Sequence, residues 1–236
     1  LGALIISDSI VTGNAVSGTG LSSPGGGGIH SYGGTVALTS STISENRSNL
    51  IGGGIYSENC DVTLTGCTVS ENLADNDALG NSTGVLGGGI ASYNGTLTLT
   101  QCVVSGNIAD EGGGIYMYSP IRGALTLVDS EISGNQAPRN NGGGISSYFG
   151  MVELVKSVVR QNSACCDTPQ ARGGGMSVLF GGVKFDEDSR VTENSAEGAG
   201  GGIYNNRGSV ALKTPQNVTG NSPNNCAGDP VAQCEN

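Results

Sequence analysis

Short runs in which every second residue is apolar recur along the chain, as in Val36-Ala-Leu38, Val62-Thr-Leu64 and Leu97-Thr-Leu99. Alternation of this kind predicts strands with one face turned inward and the other toward solvent. Two fixed words accompany the runs. A Gly-Gly-Gly-apolar word ends at Ile29, Ile55, Ile90, Ile115, Ile145, Met176 and Ile203. An apolar-x-x-Asn word ends at Asn14, Asn46, Asn72, Asn107, Asn135, Asn162, Asn194 and Asn221. The glycine words stand 29 residues apart on average, with gaps of 25 to 35. From the Ile to the last apolar residue of the next run is nine residues in six of seven repeats, and from there to the Asn is eight or nine. Nearly all the slack falls between the Asn and the next glycine word: four residues before Gly112, fourteen before Gly87.

Three short strands, two corners of fixed length and one elastic corner describe a coil of a parallel β-helix. The fold class predicted is therefore all-β, a single-stranded right-handed β-solenoid of about eight coils over residues 1–221, with residues 222–236 as a C-terminal tail. The handedness follows from the usual sense of parallel connections. Coils stack about 4.8 Å apart and bury their core between neighbours. Glycine suits a corner where backbones approach closely or φ turns positive. The eight Asn residues are expected to stack as a ladder of amides along the axis.

Composition narrows the function classes. Hydrophobic residues make up 36% and aromatics 4%, with no Trp, which fits a thin core. A net charge of −10 argues against nucleic acid and anionic membranes as partners. No apolar stretch approaches the ~18 residues that span a bilayer, so no membrane insertion is expected. The chain opens on Leu1 in mid-pattern, as expected of a processed product or a piece of something longer.

The words GGGI and apolar-x-x-Asn resemble the GGAI and FxxN repeats of the polymorphic outer membrane protein family, and equally the secreted bacterial right-handed β-helix repeat proteins. The segment GNSPNNCAGDP is similar to the closing segment of some of these. The resemblance covers residues 1–226, with Val or Ile where the chlamydial pattern has Phe, and without an autotransporter barrel. It implies a β-helix at the cell surface or outside the cell, with adhesion as one possible use.

Candidate chemistry is sparse. Polysaccharide lyases and hydrolases need clustered carboxylates, or carboxylates with a cation and a nearby base. On the outward positions of the first strand Glu58 is the only acid, and Lys156, Arg160, Lys184 and Arg190 are scattered over other coils. His30 reads as a surface residue, Asp186-Glu187-Asp188 as a solvated corner, and Asp75 and Asp77 lack the pattern of a calcium loop. No catalytic residue, cofactor or metal is assigned. A threonine column at Thr39, Thr65 and Thr100, of the kind ice binding requires, breaks at Val128, Val155, Asp186 and Lys213.

The aromatic residues are better organised. Tyr32, Tyr56, Tyr93, Tyr116, Tyr118, Tyr148 and Tyr204 all occupy odd offsets from the glycine word's last residue, so they are expected to form an outward stripe. That stripe reads either as self-stacking that covers the sheet or as a contact face for a glycan or another rod, with the elastic loops as a wall beside it. Seven Cys point to an oxidising, extracellular setting. Cys67 and Cys102 share a slot in adjacent coils, as a disulfide or as a reduced inward ladder. Cys226 and Cys234 are expected to pair and clamp the tail, and Cys165 or Cys166 to reach Cys60 or another molecule. Val231 is placed to supply one more first strand, leaving an end on which a second molecule stacks. Together these readings predict a non-catalytic extracellular structural or adhesive solenoid. Its partner is itself, head-to-tail or laterally, or a surface glycan or protein. A carbohydrate-binding or polysaccharide-degrading β-helix is the alternative.

Overall fold

The computed structural model describes residues 2–17, 25–75, 84–121, 123–166 and 169–236. It is a parallel β-solenoid of about seven turns, one for each Asn-to-Asn link of the ladder below. Every strand pairing is parallel and in register from coil to coil. Ile29 lies opposite Ile55, then Ile90, Ile115, Ile145, Met176 and Ile203 follow in line. The third strands form an eight-stranded sheet of their own, from Ile10–Thr12 to Val218–Thr219.

Two details depart from three short strands per coil. In the Ile29 and Ile55 coils the first and second strands merge into single strands, Ile29–Thr39 and Ile55–Thr65. A fourth element, only two residues long, follows several of the Asn residues, as at Arg47–Ser48 and Leu73–Ala74. It carries the sheet pattern to the edge of the elastic corner.

The core is a set of apolar columns. Ile55, Ile90, Ile115, Ile145 and Ile203 line one wall, Leu64, Leu99, Leu127 and Leu154 a second, and Val69, Val104, Ile132 and Val159 a third; all are fully buried. The three columns belong to one continuous buried cluster. Burial of one such side chain is worth roughly 1.5–3 kcal/mol, so a rod with few aromatics holds together by repetition.

The Asn ladder forms. Asn107, fully buried, donates from Nδ2 to Asn135 Oδ1 at 2.9 Å and to the Val69 carbonyl at 2.9 Å. Its Oδ1 accepts from both the backbone N and the Nδ2 of Asn72, each at 3.0 Å. The same pattern links Asn14, Asn46, Asn72, Asn107, Asn135, Asn162, Asn194 and Asn221. The glycine words pack directly against this ladder. A Cβ on Gly89 would lie 2.7 Å from the Gly114 carbonyl and 3.0 Å from the Asn107 side chain. Gly87 at the start of the same word has φ +65°, which L side chains rarely adopt. The coil is pinched where these two columns meet.

A second column runs beside it, five residues before each of seven Asn positions: Ser9, Ser41, Cys67, Cys102, Ser130, Ser157 and Ser189. Ser130 Oγ donates to the Val128 carbonyl at 2.8 Å and accepts the Cys102 N–H at 3.0 Å. Cys67 and Cys102 do the same with sulfur: Cys102 Sγ donates to Thr100 O at 3.2 Å and accepts Cys67 N–H at 3.4 Å. This corrects the candidate disulfide. Both thiols are free and buried, standing in for serine and turned to their own backbone instead of to each other.

The tail also differs. The strand Cys226–Gly228, not a segment at Val231, pairs with Ile203–Asn206, putting Cys226 opposite Ile203. The Cys226–Cys234 disulfide then folds the chain back, and Val231 and Cys234 pack against the core. Asn225 Oδ1 takes the place of a ninth ladder residue, accepting from Asn221 N and Nδ2 at 3.0 Å. Cys165 bonds its neighbour Cys166, so neither reaches Cys60, a third buried free thiol.

Candidate functional site

The first strand's outer face is where the predicted stripe lies, and the rings do meet. His30 stacks on Tyr56 with centroids 5.0 Å apart, Tyr56 meets Tyr93 at 5.7 Å, and Tyr93 touches Tyr116 and Tyr118. Tyr148 closes the run against Tyr116 at 5.7 Å. Two tyrosines stand outside it: Tyr32, 71% exposed, and Tyr204, separated by Ser177 and Leu179 of the Met176 coil. Much of the stripe is covered. Tyr56 is 8% exposed and Tyr116 6%, because the glycine words and elastic-corner residues lie over this face. The outward stripe of the sequence is thus buried at Tyr56 and Tyr116 and half-buried at Tyr93, Tyr118 and Tyr148.

The covering residues bring chemistry with them. Glu111, in the corner before the Ile115 coil, is buried and accepts from Tyr148 Oη at 2.7 Å, Ser146 Oγ at 2.8 Å and Asn140 Nδ2 at 3.2 Å. Burial raises its carboxyl above the usual range, and the bonds from Tyr148 and Ser146 offset only part of that. Burial likewise pushes the Tyr56, Tyr93, Tyr116 and Tyr148 hydroxyls above their ordinary value, with Glu58 or Glu111 adding in the same direction. Glu58 itself accepts from Tyr56 Oη at 2.9 Å.

Beside Glu111 the elastic corners enclose a cleft of about 510 Å³, lined by Arg139, Asn140, Asn141, Pro169, Gln170, Ala171 and Arg172. Arg139 is anchored to Asp110 at 3.2 Å. Arg172 donates to Tyr204 Oη at 2.6 Å with its guanidinium 4.9 Å from the ring centroid, so Tyr204 holds a cleft residue in place and stands outside the stripe. Amides and guanidinium groups can together bind a hydroxyl-rich ligand through many weak directed bonds.

A further aromatic column occupies the corner after the first strand. Tyr118 meets Phe149 edge-on at 5.9 Å, Phe149 stacks on Phe180 at 5.2 Å, and Arg207 lies over Phe180 at 5.5 Å. Sequence reasoning followed the tyrosines and passed over both phenylalanines, whose shared slot after the first strand was countable. Glu111 was missed because its partners lie 35 and 37 residues away, and only the coil register brings them together.

The remaining candidates stay apart. His30 is exposed, and Thr39, Thr65, Thr100, Val128 and Val155 align as counted. Asp186 closes its own corner by accepting from Ser189 and from Lys156 N. Burial works against it, but these bonds hold its carboxyl below the usual range. Asp75 pairs with Arg47 at 3.3 Å, and Asp77 lies outside the described residues. Among the described residues no three His, Cys, Asp or Glu side chains are placed to hold a metal ion. Compared with protein-family models, curated proteins and solved structures, the chain matches none of them.

Proposed function

We propose that this chain is a non-catalytic solenoid with a structural or adhesive role outside the cell, which contacts a surface glycan side-on through the Arg139–Arg172 cleft. The cleft carries the reading: amide and guanidinium groups of Arg139, Asn140, Asn141, Gln170 and Arg172 stand around an open volume. Two disulfides and the GGGI and apolar-x-x-Asn words support the extracellular setting. Side-on contact is preferred to end-to-end stacking because the tail packs over the core beyond the Ile203 coil.

A glycan array probed with the chain and with an Asn140→Ala/Gln170→Ala variant tests this. Binding of a defined glycan class, reduced at least about tenfold in the variant, is the expected result; no glycan bound, or unchanged binding, removes the reading. Glu111 gives the polysaccharide-degrading alternative its one specific observation, a buried carboxyl that holds its proton above the usual range at the edge of the cleft. Cleavage of a bound polymer, abolished in Glu111→Gln, would establish that alternative instead.

A further inference from the structure

The two oxygens of the buried Glu111 carboxyl are engaged differently. Oε1 accepts from Tyr148 Oη at 2.7 Å and from Ser146 Oγ at 2.8 Å, and Oε2 accepts from Asn140 Nδ2 at 3.2 Å. Ser146 is fully buried and Tyr148 half-buried, whereas Asn140 is exposed and lines the cleft. A proton on Oε1 would turn aside a hydroxyl hydrogen in the less exposed place, where water is poorly able to receive it. On Oε2 it meets an amide that can turn round. An Asn amide carries its donor and its acceptor at opposite ends, so a half-turn replaces Nδ2–H···Oε2 by Oε2–H···Oδ1 at the same contact.

That half-turn reverses what Asn140 offers a ligand. With Glu111 ionised, Nδ2 is held and Oδ1 is the end left over; with Glu111 neutral, Nδ2 is. The side chains around the cleft are otherwise mostly donors. Arg139 and Arg172 cannot accept, and Asn141 spends Oδ1 on the Arg172 backbone N–H at 3.0 Å, which leaves its Nδ2 to donate. We propose that Glu111 is a positioning residue for the cleft, whose protonation turns the Asn140 amide and shifts preference from neutral sugars, which need an acceptor for their hydroxyl hydrogens, to sugars bearing a carboxylate, which need donors alone. The sugar preference rests on the glycan reading above; the turn of the amide does not.

The groups facing Glu111 leave it as the one that titrates. Tyr148 and Ser146 come from the first strand of the following coil, Tyr116 from its own coil and Tyr93 from the coil before. Burial raises all three tyrosine hydroxyls, so they stay neutral. Asp110, beside Glu111 in the corner, is paired with Arg139. Burial also raises the Glu111 carboxyl, which therefore takes up its proton above the ordinary value of 4.5.

The side-chain amide signal of Asn140, identified by its loss in Asn140→Ala, can be followed by heteronuclear NMR from about pH 4 to about pH 9 with no glycan present. It should move with one titration in the wild type and stay fixed in Glu111→Gln, whose Nε2 donates where the proton would. On the glycan array, the ratio of carboxylated to neutral sugars bound by the wild type should rise at least about tenfold from high to low pH. Glu111→Gln should keep the low-pH pattern throughout, and Asn140→Ala should lose the pH dependence. If Glu111→Gln lost its fold, Asn140→Ala, at an exposed position, carries the comparison. An amide signal indifferent to pH, or a ratio that changes as much in Asn140→Ala as in the wild type, would overturn the inference. An array with no glycan bound removes the function proposed above, while the amide signal still decides whether Glu111 turns Asn140.

Discussion

Each coil has two unlike sides. On one, glycine words press against a column of amides; on the other, aromatic residues lie under corners of changing length. The first side repeats without exception from Asn14 to Asn221, and its bonds vary by only a few tenths of an ångström. The second side varies along the rod, from Tyr56 to Ala91 to Tyr116 to Ser146. A shared hydrogen-bond column allows no substitution that fails to reproduce both its donors and its acceptor. Covering aromatics requires only apolar bulk and a few bonds, which many residues supply. Variation is concentrated on the side that tolerates it.

The largest expected effect comes from breaking the constant side. Asn107→Ala leaves the Asn72 N–H and amide without their acceptor in a fully buried site, and should cost about 4 kcal/mol or more. Gly89→Ala should be comparably damaging, since its Cβ would meet the next coil's carbonyl. Chemical denaturation of both variants, against Thr126→Ala on a solvent-facing strand position as control, measures the contrast.

An intermediate effect is expected on the variable side, and it depends on pH. The folded-state pKa of Glu111 is raised, so the native state favours the protonated carboxyl. Its contribution is present in full below the unfolded value near 4.5 and is lost as pH rises through the folded one. Thermal melts of the wild type and Glu111→Gln should diverge upward from that pH, the wild type losing ground to the variant. Parallel curves would show that the carboxyl is not desolvated.

The smallest effect sharpens the comparison within the constant side itself. Cys67→Ser/Cys102→Ser restores the serine found elsewhere in that column and should shift stability by no more than about 1 kcal/mol. Burial also raises the Cys102 thiol, so in the native protein the free thiols should react with a disulfide reagent only on unfolding.

The solenoid was legible because its words recur at measurable spacing: the columns seen in the structure are the columns that the counts imply. The second ladder was hidden because Ser and Cys play one role under two names, and only the bonds from Ser130, Cys102 and Cys67 reveal the equivalence. Glu111 was hidden for the opposite reason. It sits in the elastic corner, where counting fails, and its meaning comes from Tyr148 in the following coil. Tyr56 and Tyr116 were placed on the correct face, but a residue's offset gives the direction of its side chain and not what comes to cover it.

The amide column has a sense. Every Nδ2 donates to the Oδ1 of the following coil and none in reverse. Dipoles aligned head to tail polarise one another, so the column should melt as one cooperative thread instead of coil by coil. Cutting it in the middle would be expected to split a single thermal transition into two, one for each severed length of rod.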